Sequence, residues 1–139
     1  MSVLETIIGK RKPKFDAYEL ILDLLQKFMI ESKSQAAMRD FTPPQQAVMT
    51  MYTYGAMAYL AEAHEVPEQE FIMVLDFYLQ RQGLSDKQSV MEARIIVEQA
   101  KDPSMQWGIE TGYNSSMYWY KDNNTEAPKA LARLLKTTR

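Results

Sequence analysis

The only histidine of the chain, His64, lies in a stretch that is rich in carboxylates. This stretch, EAHEVPEQE at 62–70, contains Glu62, Glu65, Glu68 and Glu70. An imidazole among carboxylates suits general acid–base catalysis or the binding of a divalent metal ion. However, the helical metal motifs H-E-x-x-H and E-x-x-H are absent, and on a helix His64 points away from Glu62 and Glu65. The pattern therefore predicts no catalytic and no metal-binding residue in this stretch.

The other interpretation of this stretch is an acidic surface at the end of a helix. His64 then lies near a helix C-terminus, where a charged imidazole interacts favourably with the helix dipole. The sequence has no lysine or arginine between Arg39 and Arg81. We therefore expect the four glutamates to bind a basic protein partner, with an electrostatic attraction that speeds association.

Other signatures of catalysis are missing from the sequence. The chain has no cysteine, which removes disulfides, thiolate nucleophiles and thiolate metal ligands. No G-x-S-x-G, P-loop or G-x-G-x-x-G motif occurs, and a single histidine gives no support for a Ser–His–Asp triad. The sequence predicts a protein that is not an enzyme and that uses no cofactor.

A second candidate surface is the aromatic segment 104–122. It contains both tryptophans of the chain and more aromatic rings than a single buried stripe accommodates. Aromatic residues and methionine, of which the chain has ten, are favoured at protein interfaces. We expect four residues of this segment to contact a protein partner: Trp107, Tyr113, Tyr118 and Trp119.

The same segment has two competing secondary structures. Read as a helix, it places Gly108, Gly112 and Ser115 on one stripe of small residues, beside a stripe of larger apolar ones. Read as a strand, it alternates from Tyr113 to Trp119. We favour the helix and keep the strand as the alternative. In a helix, the small stripe predicts a close approach of a neighbouring helix.

Helices must position these candidate residues, because the sequence has only five glycines and few alternating strand patterns. The stretch AVMTMYTYGAMAYLA at 47–61 has no charge and is apolar around its whole circumference, which is typical of a buried helix. The chain of 139 residues is long enough for one core. We predict an all-α fold, a single-domain bundle (1–139) of five to seven helices around a buried central helix at about 43–65.

The other helices follow from apolar periodicity and from the positions of the prolines. They are predicted at 2–8, 15–32, 67–82, 85–101, 104–122 and 126–136. Residues 1–14 are expected to form a docking arm that ends in the basic connector KRKPK at 10–14. Thr125 is the predicted N-cap of the last helix, and Val90 is predicted to lie on the core side of the fourth.

The sequence gives no support for a membrane or secreted protein. Residues 41–61 carry no charge, but they include two prolines and two glutamines, which argue for a buried helix and against a span. The apolar residues at the N-terminus precede the basic ones, which is the reverse of a secretory signal. Together with the absence of cysteine, this predicts a cytoplasmic protein.

The uneven charge distribution suggests how the chain finds partners. Residues 1–14 and 123–139 each carry four basic residues and one acidic residue, whereas 15–122 carries a net charge of −8. We expect a homodimer in which basic ends meet acidic middles. The alternative is a regulator that binds nucleic acid through Lys10–Lys14 and Lys129–Arg139, although the sequence pI of about 5.5 argues against it. The sequence therefore favours a small non-enzymatic helical regulator, adaptor or inhibitor that binds proteins.

Overall fold

The computed structural model describes residues 3–36 and 40–138, with side chains from 16 onward. Six α-helices pack against one another, and no strand occurs in these ranges. The helices are α1 (Val3–Ala36), α2 (Pro43–Ala63), α3 (Phe71–Arg81), α4 (Asp86–Gln99), α5 (Gln106–Lys121) and α6 (Lys129–Thr137). The predicted all-α bundle is confirmed. Within the described part, no helix has both the length and the apolar character needed to cross a bilayer.

The central helix α2 begins and ends where the sequence predicts. Thr42 and Gln45 form a capping box, in which the Gln45 backbone N donates to Thr42 Oγ1 at 3.3 Å and the Thr42 backbone N donates to Gln45 Oε1 at 2.9 Å. Pro43 and Pro44 occupy the first turn, where their missing N–H groups cost no helical hydrogen bond. The helix ends at His64, which is its C-cap. Most of the residues of α2 from Met51 to Ala61 are buried, which confirms the prediction of a buried central helix.

The segment 104–122 is helical, so the strand alternative is wrong. After one 3₁₀ turn at Pro103–Met105, α5 runs alongside α2 and forms the most extensive helix pair of the bundle. Gly108 lies against Val48 and Met51, and Gly112 lies against Tyr52. Residue numbers therefore increase in the same direction along both helices, so α2 and α5 are parallel. The predicted close packing at the small-residue stripe is confirmed, because these glycines are buried and face α2.

Helix α1 packs on the bundle through one apolar face, which lies within the helix predicted at 15–32. Tyr18, Leu22, Leu25 and Met29 are buried, as are the neighbouring Ile21 and Phe28. The predicted break at 9–14 is wrong, because α1 runs without interruption from Val3 to Ala36. Pro13 removes one backbone donor, but the Lys and Arg residues around it are strong helix formers, which offsets this loss. The predicted docking contacts of 1–14 concern side chains outside the described ones.

Helices α3 and α4 form one side of the bundle. A 3₁₀ turn at Glu68–Glu70 precedes α3, so the α-helix starts four residues later than the predicted start at Pro67. Ser85 and Gln88 form the capping box of α4. Val90 is 39% exposed, which corrects the prediction that it faces the core. The reason is that α4 lies at the edge of the bundle and packs mainly on α3, so its buried stripe is narrow.

The last helix starts later than the sequence predicts. Residues 125–128 form turns, and Asn124 Oδ1 accepts a hydrogen bond from the Glu126 backbone N at 2.9 Å. The N-cap of α6 is Pro128, so the prediction of Thr125 is wrong. The asparagine side chain satisfies the backbone of this turn and makes a threonine cap unnecessary. Helix α6 then buries Leu131, Leu134 and Leu135 against the core.

A chain of buried hydroxyl groups crosses the core. Tyr52 Oη lies 3.0 Å from Ser32 Oγ and 3.0 Å from Ser115 Oγ, and Ser115 Oγ donates to the Ala127 backbone O at 2.6 Å. Ser115 uses its one hydroxyl proton on the Ala127 backbone O, so Tyr52 must donate to Ser115. Because Tyr52 also has only one hydroxyl proton, Ser32 must donate to Tyr52. This series of hydrogen-bonded hydroxyl groups joins α1, α2, α5 and the turn before α6. It satisfies the only polar atom of the fully buried Tyr52 side chain.

Candidate protein-interaction surface

The C-terminal halves of α2 and α5 meet at a surface of aromatic and ionisable side chains. We call it the tyrosine–carboxylate surface and define it by Tyr59, Glu62, His64, Tyr113 and Tyr120. Tyr113 and Tyr120 lie seven residues apart on α5 and therefore share one flank of that helix. Because α2 and α5 are parallel, this flank lies beside the last turns of α2. Glu62 is exposed, and the four rings are half-buried.

The rings of this surface pack edge to face. The ring centroids of Tyr59 and Tyr113 are 5.4 Å apart with an interplanar angle of 80°, and those of Tyr59 and Tyr120 are 6.4 Å apart at 68°. The imidazole of His64 lies 5.6 Å from the Tyr120 ring. These separations are typical of favourable aromatic pairs. Tyr59 is therefore held between the two α5 tyrosines, and the surface has a fixed shape.

A hydrogen bond fixes the carboxylate of this surface. Tyr113 Oη donates to Glu62 Oε2 at 2.5 Å. This hydrogen bond to Glu62, together with partial burial, raises the pKa of Tyr113 to about 12. The hydroxyl therefore keeps its proton at neutral pH and continues to donate. Partial burial, with smaller contributions from Tyr120 and Asp122, also raises the pKa of Tyr59. The surface consequently presents neutral phenols beside an oriented carboxylate.

His64 is tied to the same surface. Its Nε2 atom lies 3.1 Å from Tyr120 Oη, within hydrogen-bond distance. The position of His64 as the C-cap of α2 agrees with its predicted place at a helix C-terminus. Among the residues that the structure describes, no three His, Asp or Glu side chains are close enough to hold a metal ion. What this surface can offer is hydrogen-bond acceptors and aromatic faces.

The structure separates the four glutamates that the sequence groups together. Glu62 belongs to the tyrosine–carboxylate surface, whereas Glu70 turns toward α1 and accepts a hydrogen bond from Tyr18. Glu65 and Glu68 are exposed in the turn between α2 and α3, where Glu65 adopts a positive φ of 60°. The four glutamates of the predicted acidic patch therefore lie in three distinct environments. Glu62, Glu65 and Glu68 are exposed, whereas Glu70 is half-buried.

The four aromatic candidates also lie on different sides of α5. Trp107 and Tyr118 are 56% and 48% exposed and are eleven residues apart, about three turns along one outer face. Trp119 points inward against Phe28, with ring centroids 5.2 Å apart, and its Nε1 donates to Glu31 Oε2 at 2.6 Å. Only Tyr113 joins the tyrosine–carboxylate surface. The aromatic segment thus divides between the core and two separate surfaces.

Three members of this surface, Tyr59, His64 and Tyr120, are not among the partner-binding residues predicted from the sequence. The spacing of Tyr113 and Tyr120 gives one usable signal, since residues seven apart share a helix face. Tyr59 has no comparable signal, because its role depends on the parallel pairing of α2 with α5. Sequence periodicity identifies faces, but it does not say which two faces meet.

Comparisons with protein-family models, with curated proteins and with solved structures found no match for this chain. A functional assignment therefore rests on the geometry and the charges of the chain itself.

Proposed function

We propose that this chain is a non-enzymatic cytoplasmic protein that acts as a regulator, adaptor or inhibitor by binding other proteins, and that it also forms a homodimer. The observation that carries the proposal is the preformed tyrosine–carboxylate surface. The ring of Tyr59 packs against those of Tyr113 and Tyr120, and the hydroxyl of Tyr113 donates a hydrogen bond to the Glu62 carboxylate at 2.5 Å. Such order lowers the entropic cost of binding a partner.

The chemistry of this surface favours a basic partner segment. A guanidinium or ammonium group binds a carboxylate by charge-assisted hydrogen bonds and stacks on the face of a tyrosine. Two further exposed carboxylates lie near this surface: Asp122 interacts electrostatically with Tyr59, and Glu65 follows the end of α2. The sequence between Arg39 and Arg81, which includes Glu62 and Glu65, contains no lysine or arginine. We therefore infer that an arginine- or lysine-rich segment of another protein binds here.

A binding experiment with defined probes tests this proposal. Fluorescence anisotropy compares a labelled oligoarginine peptide with an oligoaspartate peptide of equal length. We expect the chain to bind only the basic peptide, and Glu62→Lys to weaken this binding about tenfold or more, because it replaces an attraction by a repulsion. The control is Asp40→Lys, which makes the same change in net charge at an exposed position outside the helices.

The result that opposes the proposal is equally specific. If Glu62→Lys and Asp40→Lys weaken binding equally, then only the net charge attracts the peptide. The tyrosine–carboxylate surface would then have no particular role. Equal binding of the acidic and the basic peptide would exclude a site that selects cations.

The alternative partner is nucleic acid, and α6 supplies the described part of the basic surface that it needs. Lys129, Arg133 and Lys136 are exposed and follow the spacing of one helix face. Lys129, however, already forms an ion pair with Glu126. If nucleic acid is the partner, binding must decline steeply with salt and be lost when 129–139 is removed. Binding that ignores both changes would reject this alternative.

A further inference from the structure

A cavity of about 170 Å³ lies among helices α1 to α4, and it contains no residue of the tyrosine–carboxylate surface. Apolar side chains of three helices form much of its wall: Met49 of α2, Leu75 and Leu79 of α3, and Ile96 of α4. An apolar cavity of about 150 Å³ is known to hold a benzene molecule. The space is therefore large enough for one small ring compound.

The two threonines of the wall have no free hydroxyl proton. Thr53 Oγ1 donates to the Met49 backbone O at 2.8 Å, and Thr50 Oγ1 donates to the Gln46 backbone O at 2.9 Å. Hydrogen bonds of this kind to the preceding turn satisfy a threonine within its own helix. Neither threonine therefore offers a donor to a molecule in the cavity.

Tyr78 differs from these threonines, because its hydroxyl has no hydrogen-bond partner among the residues that the structure describes. The residue lines the cavity and is only 6% exposed. No completely enclosed polar side-chain atom of the described part lacks a partner, so the Tyr78 oxygen keeps some accessible area. Since Tyr78 lines the cavity, the cavity is where this oxygen meets open space.

The Tyr78 hydroxyl is a donor that waits for an acceptor. Burial alone raises the pKa of Tyr78 to about 12, so the hydroxyl keeps its proton at neutral pH. Two other buried tyrosines have the partners that Tyr78 lacks: Tyr52 Oη lies 3.0 Å from two serine hydroxyls, and Tyr18 Oη donates to Glu70. A buried donor without a partner destabilises a fold. A ligand oxygen that accepts from Tyr78 relieves this penalty, which favours binding of the ligand.

We propose that this cavity is a binding site for a small uncharged ring compound whose oxygen accepts a hydrogen bond from Tyr78 Oη. The apolar wall disfavours a charged ligand, because an ion loses its hydration there. Lys33 and Glu92 are the charged residues that line the cavity in the described part, and both are exposed. Their charges are opposite, so together they select neither an anion nor a cation. Apolar contacts thus supply most of the affinity, and the phenol selects a ligand with an acceptor.

A matched pair of small molecules tests the role of the acceptor. Acetophenone carries a carbonyl oxygen next to its ring, and α-methylstyrene has nearly the same shape with a methylene group in place of this oxygen. Nuclear magnetic resonance follows the isotopically labelled methyl groups of the full chain during each titration. We expect acetophenone to cause saturable shifts at Leu79 and Ile96. Tyr78→Phe should raise the dissociation constant of acetophenone about three- to tenfold, as expected for one lost hydrogen bond, and leave that of α-methylstyrene unchanged.

Two controls accompany this measurement. Tyr118→Phe removes the hydroxyl of an exposed tyrosine on α5 and should change neither dissociation constant. Benzoate has the shape of acetophenone but carries a carboxylate, so it should bind about tenfold more weakly or not at all. Circular dichroism verifies that each variant is folded. Tyr78→Phe should keep the helical signal of the wild type, since the hydroxyl that it removes has no partner among the described residues.

The results that overturn the inference are specific. Acetophenone that does not bind saturably, or that shifts only methyl groups outside the cavity, excludes the site. These two results are measured on the wild type and do not depend on the folding of a variant. An acetophenone constant that is the same in Tyr78→Phe as in Tyr118→Phe excludes the hydrogen bond. Benzoate that binds as tightly as acetophenone overturns the assignment of an uncharged ligand. None of these results concerns the binding of basic peptides.

Discussion

Gly55 on α2 and Gly112 on α5 each lie against the backbone of the opposite helix. A Cβ atom added to Gly55 would lie 1.9 Å from the Ile109 backbone O, and one added to Gly112 would lie 1.9 Å from the Tyr52 backbone O. Real Cβ atoms do not approach a backbone so closely, and the atoms they would meet cannot rotate away. The two glycines therefore fix how near α2 and α5 come, and this distance brings Tyr59 next to Tyr113 and Tyr120.

Alanine at either glycine should destabilise the fold strongly. Gly55→Ala and Gly112→Ala force the two helices apart, and overpacking of this kind costs about 1–3 kcal/mol, with more at a backbone contact. Gly108→Ala is the matched control, because its Cβ would meet the Met51 Cβ at 3.3 Å and a small shift relieves it. The better helix propensity of alanine offsets this shift by up to about 1 kcal/mol. Urea unfolding gives the free energy of unfolding of all three variants. Equal losses of stability in the three would contradict this packing of α2 on α5.

The buried hydroxyl chain makes a second prediction. Tyr52→Phe removes the group that links Ser32 and Ser115, and we expect a loss of about 1–3 kcal/mol in the free energy of unfolding, because Ser32 then has no acceptor in the chain. Tyr54→Phe on the same helix is the control, since its hydroxyl does not belong to this chain. An unchanged melting temperature for Tyr52→Phe would show that the hydroxyl chain is not formed.

These two features separate what the sequence predicts from what it does not. The uncharged circumference of 47–61 predicts a buried α2, and the spacing of Gly108 and Gly112 predicts a closely packed helix. The sequence does not predict which helix packs against each face, since any of several helices could lie against the small-residue stripe. The parallel pairing of α2 with α5 is thus a tertiary choice, and Tyr59 enters the surface only through it.

Local signals fail in two further places for physical reasons. Pro13 suggests a break, but its helix-forming neighbours carry α1 through it. Val90 has the periodicity of a core residue, yet α4 lies at an edge of the bundle, where fewer residues are covered. The glutamates of 62–70 are acidic as a group in the sequence. Their separate environments follow from the end of α2 at His64 and from the packing of Tyr18 on Glu70.

Alkaline pH should unfold the protein through its tyrosines. The pKa values of Tyr18, Tyr78 and Tyr113 are raised from 10.0 to about 12, by burial for Tyr18 and Tyr78 and mainly by the hydrogen bond to Glu62 for Tyr113. A folded-state pKa above the unfolded one means that stability is complete below pH 10 and falls as the pH rises toward 12. Tyr78→Phe should make this fall shallower.

Phenolate absorbance and circular dichroism, recorded together, check the alkaline prediction. We expect a delayed group of tyrosines whose ionisation accompanies the loss of helix. If every tyrosine ionises near its ordinary pKa while the helical signal stays constant, the raised pKa values are wrong.

Glu62 and Tyr113 should act as a unit in binding. Glu62→Gln removes the charge, and Tyr113→Phe removes the hydrogen bond that orients it, so the double variant should bind oligoarginine little worse than Glu62→Gln alone. Anisotropy titrations of the four proteins provide this double-mutant cycle, with melting temperatures as the check on folding. Strictly additive losses would mean that the hydrogen bond between the two residues plays no part in binding.

Charge reversal in the turn between α2 and α3 should affect binding without affecting stability. Glu65→Lys and Glu68→Lys alter exposed side chains, and we expect weaker binding of the basic peptide with an unchanged melting temperature. Glu65→Lys should have the larger effect, since it lies nearer to Glu62 in the chain. A variant that loses its helical signal would instead assign these residues to the fold.

Nuclear magnetic resonance can show directly whether a basic peptide binds at the tyrosine–carboxylate surface of the folded chain. Amide shifts of the isotopically labelled protein are followed while oligoarginine is added, and oligoaspartate serves as the control. We expect shifts that cluster at the end of α2 and on the neighbouring flank of α5, around Glu62, Tyr113 and Tyr120. Shifts spread over all acidic positions, or confined to another face, would contradict this expectation.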